Sequence, residues 1–323
     1  MKAVVIFQKG GIPQYVENFP EPKITSENEV LMTVKASAIK NFDKSQVGGT
    51  HYSSQQNIST AKVIGNDGAG ILEDGTRVYA LGNGMMAEKA VVKKNYLIKI
   101  PDGLDDATAA ALPNAVAGSA MALRFRAQMK GGETLLINGA TGFTGKIAVQ
   151  IAKFYGAKKI IATGRNLQSL QKLLKLGADE IVSTDQADQD FISQLKQTHN
   201  ITPFDIVIDY LWGHSAELIL ELLKGTGDFT SATKFISIGS VTGNTLLLSS
   251  DILRSADIRI YGSGIGSWTR EQMKELFTKI VPEIFNLAAE KKITVETENI
   301  DIENIASLWN IKTSAGKRQV IAI

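Results

Sequence analysis

Two short stretches carry residues whose types and spacing could do chemistry. Residues 138–146 read NGATGFTGK and residues 160–166 read IIATGRN. In the first, Gly139, Gly142 and Gly145 stand three apart, between an apolar run (LLIN) and a helical pattern that begins near Thr144. Gly139 allows a tight turn, Gly142 lets backbone approach a pyrophosphate, and Gly145 lets a helix lie close against a strand. The first helical turn then offers unpaired N–H groups and a positive dipole end to phosphate. With Thr141, Phe143 and Thr144 between them, these glycines form a candidate dinucleotide cradle.

The second stretch ends the next strand. In units that bind NAD an acid at this place bonds the ribose 2′-hydroxyl, whereas here Gly164 and Arg165 follow the strand. A guanidinium binds phosphate through two parallel charge-assisted hydrogen bonds, so Arg165 predicts NADPH over NADH. The competing reading is a solvated loop arginine. Two other features invite misreading. Tyr155 and Lys159 have the Tyr-x-x-x-Lys spacing of short-chain reductases, but they close the helix that opens at this same turn, and a catalytic pair belongs far downstream. Lys146, beside Gly145, either assists the phosphates or is solvated.

These residues need elements to hold them. Apolar runs at 134–138, 159–163, 180–183, 204–209, 234–239 and 257–262 alternate with helical patterns at 144–155, 167–176, 187–198 and 214–224. Six strands with interposed helices predict an α/β fold, a Rossmann-type doubly wound parallel sheet. Up to about residue 112 the chain reads instead as short strands separated by Pro, Asn, Asp and Gly, the spacing of an irregular β-barrel. A long amphipathic helix spans 268–292, and the final SAGKRQVIAI reads as one strand returning to the barrel. The expected division is 1–112 with 267–323 for the barrel domain and 113–266 for the dinucleotide domain.

Composition narrows the classes. The 323 residues suit two domains. With 35 basic and 33 acidic residues the net charge is +2, without the clustered excess that a nucleic-acid or membrane partner requires. There is no cysteine, which removes disulfides, thiolate catalysis and Cys-based zinc sites, and agrees with a reducing cytoplasm. His51, His199 and His214 lack metal-ligand spacing. The Ala/Gly-rich stretch 107–123 is interrupted by Pro113 and reads as a close-packed helix pair rather than a membrane span.

The segments VKASAIKNFDKSQVGGTHY, VIGNDGAGILEDGTRVYAL, AAALPNAVAGSAMAL, LLINGATGFTGKIAVQIAKFYGAKKIIATG, FDIVIDYLWG and FISIGS together resemble the medium-chain dehydrogenase/reductase superfamily, over nearly the whole chain. Within it the chain is similar to the zinc-independent quinone oxidoreductase branch. That resemblance implies a Rossmann domain beside a chaperonin-10-like barrel. It also implies a homodimer formed through the strand at 257–266. The zinc-dependent cousins carry a Cys three residues before an Asp, and later a Gly-His-Glu. Here the matching residues are Lys40 before Asp43, then Gly65, Asn66 and Asp67.

Without zinc, the chemistry implied is hydride transfer from NADPH to an electron-poor acceptor, a quinone or an α,β-unsaturated carbonyl. The protein then orients the acceptor and hydrogen-bonds the developing oxyanion. Lys40, Asn41 and Tyr52 are the candidates for that work. Lys40 either stabilises an enolate or quinol anion or pairs with Asp43 as a structural group. Tyr52 matches the family's Gly-x-x-Tyr or Gly-x-Tyr element and offers a phenol. Asn114 is expected near the nicotinamide, with Ala117 close by. Gly239 and Ser240 fall at the carboxyl edge of the sheet, where Ser240 touches the coenzyme or is an ordinary turn serine. A carbonyl or enoyl-thioester reductase fits the same scaffold, as does a non-enzymatic NADPH-binding sensor.

Overall fold

The computed structural model describes residues 1–50, 60–227, 229–311 and 316–323. The first part of the chain forms β1 (Ala3–Ile6), β2 (Gln14–Val16), β3 (Glu29–Ala38), α1 (Asn41–Val47), β4 (Lys62–Val63), β5 (Asp67–Leu72), β6 (Arg77–Leu81), β7 (Lys89–Lys93), β8 (Leu97–Lys99) and α2 (Asp106–Ala117). Strands and helices then alternate: β9 (Thr134–Asn138), α3 (Phe143–Phe154), β10 (Lys159–Gly164), α4 (Leu167–Leu176), β11 (Glu180–Ser183), α5 (Asp188–Ile201), β12 (Ile206–Asp209), α6 (Gly213–Leu222), β13 (Thr233–Ser237), α7 (Ser250–Ser255) and β14 (Ile258–Gly262). The chain ends with α8 (Arg270–Glu275), α9 (Val281–Ala289), β15 (Thr297–Asp301), α10 (Ile305–Leu308) and β16 (Arg318–Ala322).

Two compact units result, Met1–Asn114 with Glu275–Ile323, and Ala115–Lys274. Both hand-overs fall inside helical stretches, after Asn114 and Lys274 rather than after 112 and 266 as the sequence predicts. In the second unit all strand pairings are parallel, in the order β11-β10-β9-β12-β13-β14. Its strands are near-continuous apolar runs because helices cover both faces. Leu136, Ile161, Val207 and Phe235 from the sheet pack with Phe191, Leu195, Ile219 and Leu220 from α5 and α6. Each such side chain contributes about 1.5–3 kcal/mol on full burial.

The first unit is built on a sheet ordered β15-β16-β3-β5-β6-β8, with β7 also paired to β3, and a smaller sheet β2-β1-β4. Its ladders are antiparallel except for β15 with β16. The terminal strand pairs with β3 through Val320 opposite Ala38. This register carries the end of the chain beside the start of α1.

Two helical expectations change. The helix at 107–123 is not interrupted at Pro113, which lies inside α2. The break comes at Gly118, followed by a wider π-type segment over Ala122–Ala127. Proline removes one N–H, and the buried alanines around it are small enough to absorb the displaced backbone. The C-terminal amphipathic helix is likewise not uniform. Leu276–Ile280 forms a π-type turn between α8 and α9, immediately before Pro282, where the missing N–H and the ring favour a widened turn. Among the described residues no helix is long and apolar enough to cross a membrane.

Candidate coenzyme and acceptor site

The glycine turn joins β9 to α3. Gly139 has φ +85°, in the left-handed region, and a Cβ there would lie 2.9 Å from the Leu211 side chain. At Gly145 a Cβ would lie 2.6 Å from Ala140 Cα and from the Gly139 carbonyl oxygen, so only hydrogen fits between helix and turn. Gly142 is the exposed N-cap of α3 and supplies no side-chain cap. The nearest atom to a Cβ built on it is 3.7 Å away. The turn therefore presents bare backbone and an uncapped twelve-residue helix, a fit for pyrophosphate. Thr141 and Thr144 are half-buried around it, and Phe143 is buried.

Arg165 follows β10 directly and is exposed, while Gly164 is buried against the Thr141 side chain. Asn166 caps α4 by accepting from Ser169 N at 2.8 Å. Lys146 is not a solvated side chain; it is 5 % exposed, in the first turn of α3. The Tyr155 hydroxyl accepts from Arg124 Nε at 2.8 Å and Lys159 pairs with Glu180 at 2.8 Å, so neither serves the other.

Sequence reading missed what supports this turn. Thr163 Oγ1 donates to Asn138 Oδ1 at 2.7 Å, and Asn138 Nδ2 donates to Asp209 Oδ1 at 2.8 Å and to Ser215 Oγ at 3.0 Å. Asp209 also accepts from Leu211 N and Trp212 N. Gly139 N reaches Thr163 Oγ1 at 3.3 Å. Asp209 is fully buried, and burial pushes its carboxyl up to about 6 despite those donors. Its backbone oxygen accepts from Ile238 N at 2.9 Å and from Gly239 N at 3.3 Å, which fixes Gly239 at the carboxyl edge beside β13. Ser240 is exposed there. Trp212 takes φ +59° and ψ −162°, a conformation costly for any residue with a side chain, while its indole packs edge-on to Phe235. A strand-end polar residue following each of three apolar runs was the available signal for this network.

In the other unit the candidate acceptor residues separate. Lys40 is 2 % exposed, whereas Asn41, the next residue, is exposed at the start of α1. The Lys40 ammonium donates to Ala38 O at 2.9 Å, to Asp43 Oδ2 at 3.0 Å and to Asp67 Oδ1. Burial alone would lower its pKa, but the two carboxylates outweigh that and hold it raised. Asp67 is pushed up by burial against the pull of Lys40. Tyr79 OH donates to Asp67 Oδ2 at 2.8 Å, and Asn66 Nδ2 to Asp43 Oδ1 at 2.6 Å. Burial raises the Tyr79 phenol far above its usual range, so it acts as a fixed donor. Asn114 is half-buried in α2, as is Ala117. Tyr52 and His51 lie outside the described residues.

Fold and glycine turn define a dinucleotide-binding α/β protein with an antiparallel-sheet unit attached. Residues 144–281 match the zinc-binding dehydrogenase family. A probable NADPH-dependent quinone reductase of Emericella nidulans is 25 % identical, aligning over 96 % of this chain and 96 % of its own length. The quinone oxidoreductase of Sus scrofa is 27 % identical over 85 % of this chain and 84 % of its own. The crystal structure of Escherichia coli quinone oxidoreductase complexed with NADPH has the same fold, with a TM-score of 0.82 at 21 % identity over the whole of both chains. Over most of its length the chain is thus similar to quinone oxidoreductases, and it shares their fold.

The family description raises the question of zinc. At the positions that the sequence resemblance matches to the Cys, His and Glu of the metal-dependent cousins, this chain carries Lys40, Asn66 and Asp67. A cation already lies between the carboxylates, and no group of three His, Cys, Asp or Glu side chains able to hold a metal occurs among the described residues. Asparagine and lysine supply neither imidazole nor thiolate. These residues do not fit a zinc ion.

Proposed function

We propose that this protein is an NADPH-dependent reductase that passes hydride, without a metal, to a quinone or an α,β-unsaturated carbonyl. The observation carrying the coenzyme choice is Arg165, exposed at the carboxyl end of β10 where an acid would select NADH. The named relatives support it: the Emericella nidulans protein is a probable NADPH-dependent quinone reductase, and the Escherichia coli structure holds NADPH.

When bound, the coenzyme supplies the hydride. The chain's own part is to hold and orient. Gly139, Thr141, Gly142, Phe143, Thr144 and Gly145 take the pyrophosphate. Gly164 packs against Thr141 rather than opening space, and Arg165 beside it binds the 2′-phosphate. Gly239 and Ser240 line the carboxyl edge toward the ribose, and Asn114 faces the nicotinamide. On the acceptor side Asn41 and Tyr52 are the groups for a developing oxyanion. Lys40 has its three protons engaged inside its own unit and works at one remove. We place the protein in a reducing cytoplasm, in keeping with a chain without cysteine. A homodimer through the edge strand β14 completes the reading.

A carbonyl or enoyl-thioester reductase on the same scaffold is the second reading. The deciding experiment follows NADPH consumption by the purified protein, with NADH as control, against small quinones, enones and enoyl thioesters. Rapid NADPH-selective turnover of quinones or enones is expected. Preference for the thioester would move the assignment to the second reading. Tight coenzyme binding without turnover of any of them would make the protein a sensor.

A further inference from the structure

The cluster around Lys40 has a complete hydrogen-bond account. An ammonium has three protons, and here all three are placed, on Ala38 O, Asp43 Oδ2 and Asp67 Oδ1. The outer oxygens are taken as well, Asp43 Oδ1 by Asn66 and Asp67 Oδ2 by Tyr79. Lys40 N donates to Asp43 Oδ2 at 2.9 Å, closing the first turn of α1. One point thus gathers β3, α1, β5 and β6. Arg318, whose Nη1 donates to Ile39 O at 3.3 Å, stands as a second cation acting on the same two carboxylates. Two negative and two positive charges balance.

Three of the residues meeting here, Lys40, Asn66 and Asp67, replace zinc ligands in sequence. Lys40 pairs directly with Asp67, and Asn66 joins them through Asp43. We propose that Lys40 is a resident cation, its ammonium standing where related chains use a divalent ion and cross-linking the start of α1 to β5. It is a positioning residue. By anchoring its own backbone in the interior it fixes Asn41, one residue on, at the surface. This assignment is independent of which acceptor is reduced, and its test does not use turnover.

Lys40→Ala removes the cation while leaving its carboxylate partners, a change that ordinarily costs about 4–7 °C in the melting midpoint for a chain of this size. The cavity left has the shape of an alkylammonium. We expect n-propylammonium chloride to restore most of the lost midpoint, with tetramethylammonium chloride and sodium chloride at equal ionic strength restoring little. Equal recovery with all three salts, or no loss in Lys40→Ala, would overturn the assignment. Should that variant not fold, the wild type and Lys40→Cys carry the test. Zinc should leave the wild-type midpoint unchanged and raise that of Lys40→Cys in a manner reversed by chelator. Stoichiometric zinc in the wild type, or a Lys40→Cys protein indifferent to zinc, would sink the idea.

Discussion

Asn138 Nδ2 donates to Asp209 Oδ1 across 2.8 Å, and that bond joins the carboxyl ends of β9 and β12 directly beneath the glycine turn. These two strands neighbour each other in the sheet although the bonded residues are 71 apart in sequence. It is the point where the strand order reverses, the place at which such sheets bind their ligands.

The buried carboxylate at that point should make stability depend on pH. Its folded pKa, about 6, lies above the unfolded value near 3.8. The native state therefore holds the proton more tightly. Stability through this group is greatest below the unfolded value and is lost as pH rises through 6, by about 3 kcal/mol in all. Asp209→Asn abolishes the titration. Urea unfolding at pH 5 and pH 7 should show the wild type losing about 1 kcal/mol more than the variant over that interval. Parallel pH profiles for the two proteins would refute the assignment.

At the end of β10, Arg165→Glu exchanges a phosphate-binding cation for an acid. Charge-assisted hydrogen bonds contribute about 1.5–3 kcal/mol, and the new charge repels a 2′-phosphate. The ratio of NADPH to NADH affinity, from fluorescence titration, should fall by about 100-fold. An unchanged ratio would return Arg165 to the role of a solvated loop residue.

Gly145→Ala tests the close approach of α3 to its turn. The added methyl meets backbone atoms at 2.6 Å on both Ala140 and Gly139, and neither is the far end of a flexible side chain. The helix must shift, costing about 1–3 kcal/mol in denaturant unfolding. Because the shift opens the turn, the dissociation constant for NADPH should rise as well.

Thr163→Val keeps shape and β-branching but deletes a hydroxyl that donates to Asn138 Oδ1 and accepts from Gly139 N. Leaving the buried amide oxygen without that donor should cost about 1–3 kcal/mol. Calorimetric unfolding of the free protein reads this directly, and full stability would show that water replaces the hydroxyl.

Much of the second unit was legible because its signals are local. Apolar runs bounded by Gly and polar residues locate β9, β10 and β11 within a residue, and the glycine spacing marks the turn. The termini of β13 and α6 drift by one or two residues, where Gly239, Ile238 and Leu223 continue the apolar character without the geometry. Burial of Lys146 was illegible, since its position in α3 reads the same whether the helix face meets protein or solvent. The Lys40–Asp43 pair was one of two readings open in the sequence, but the rest of the cage was illegible for a stronger reason. Its members come from four elements up to 41 residues apart, and only register places Asp67 opposite Leu81 and Tyr79 opposite Ala69. Lys40 alone reads equally as a reagent or a strut; its neighbours decide.

Trp212 has a consequence for how this chain can vary. Its backbone conformation penalises every residue but glycine by about 1–3 kcal/mol, and its indole recovers that cost by packing on Phe235 and the sheet core. A polar or small side chain at this position keeps the penalty and forfeits the packing. Position 212 therefore has two separated solutions, a large aromatic that packs or a glycine that relaxes, with a valley between them. Sequences drifting from this one should cross it by a single exchange rather than through intermediates.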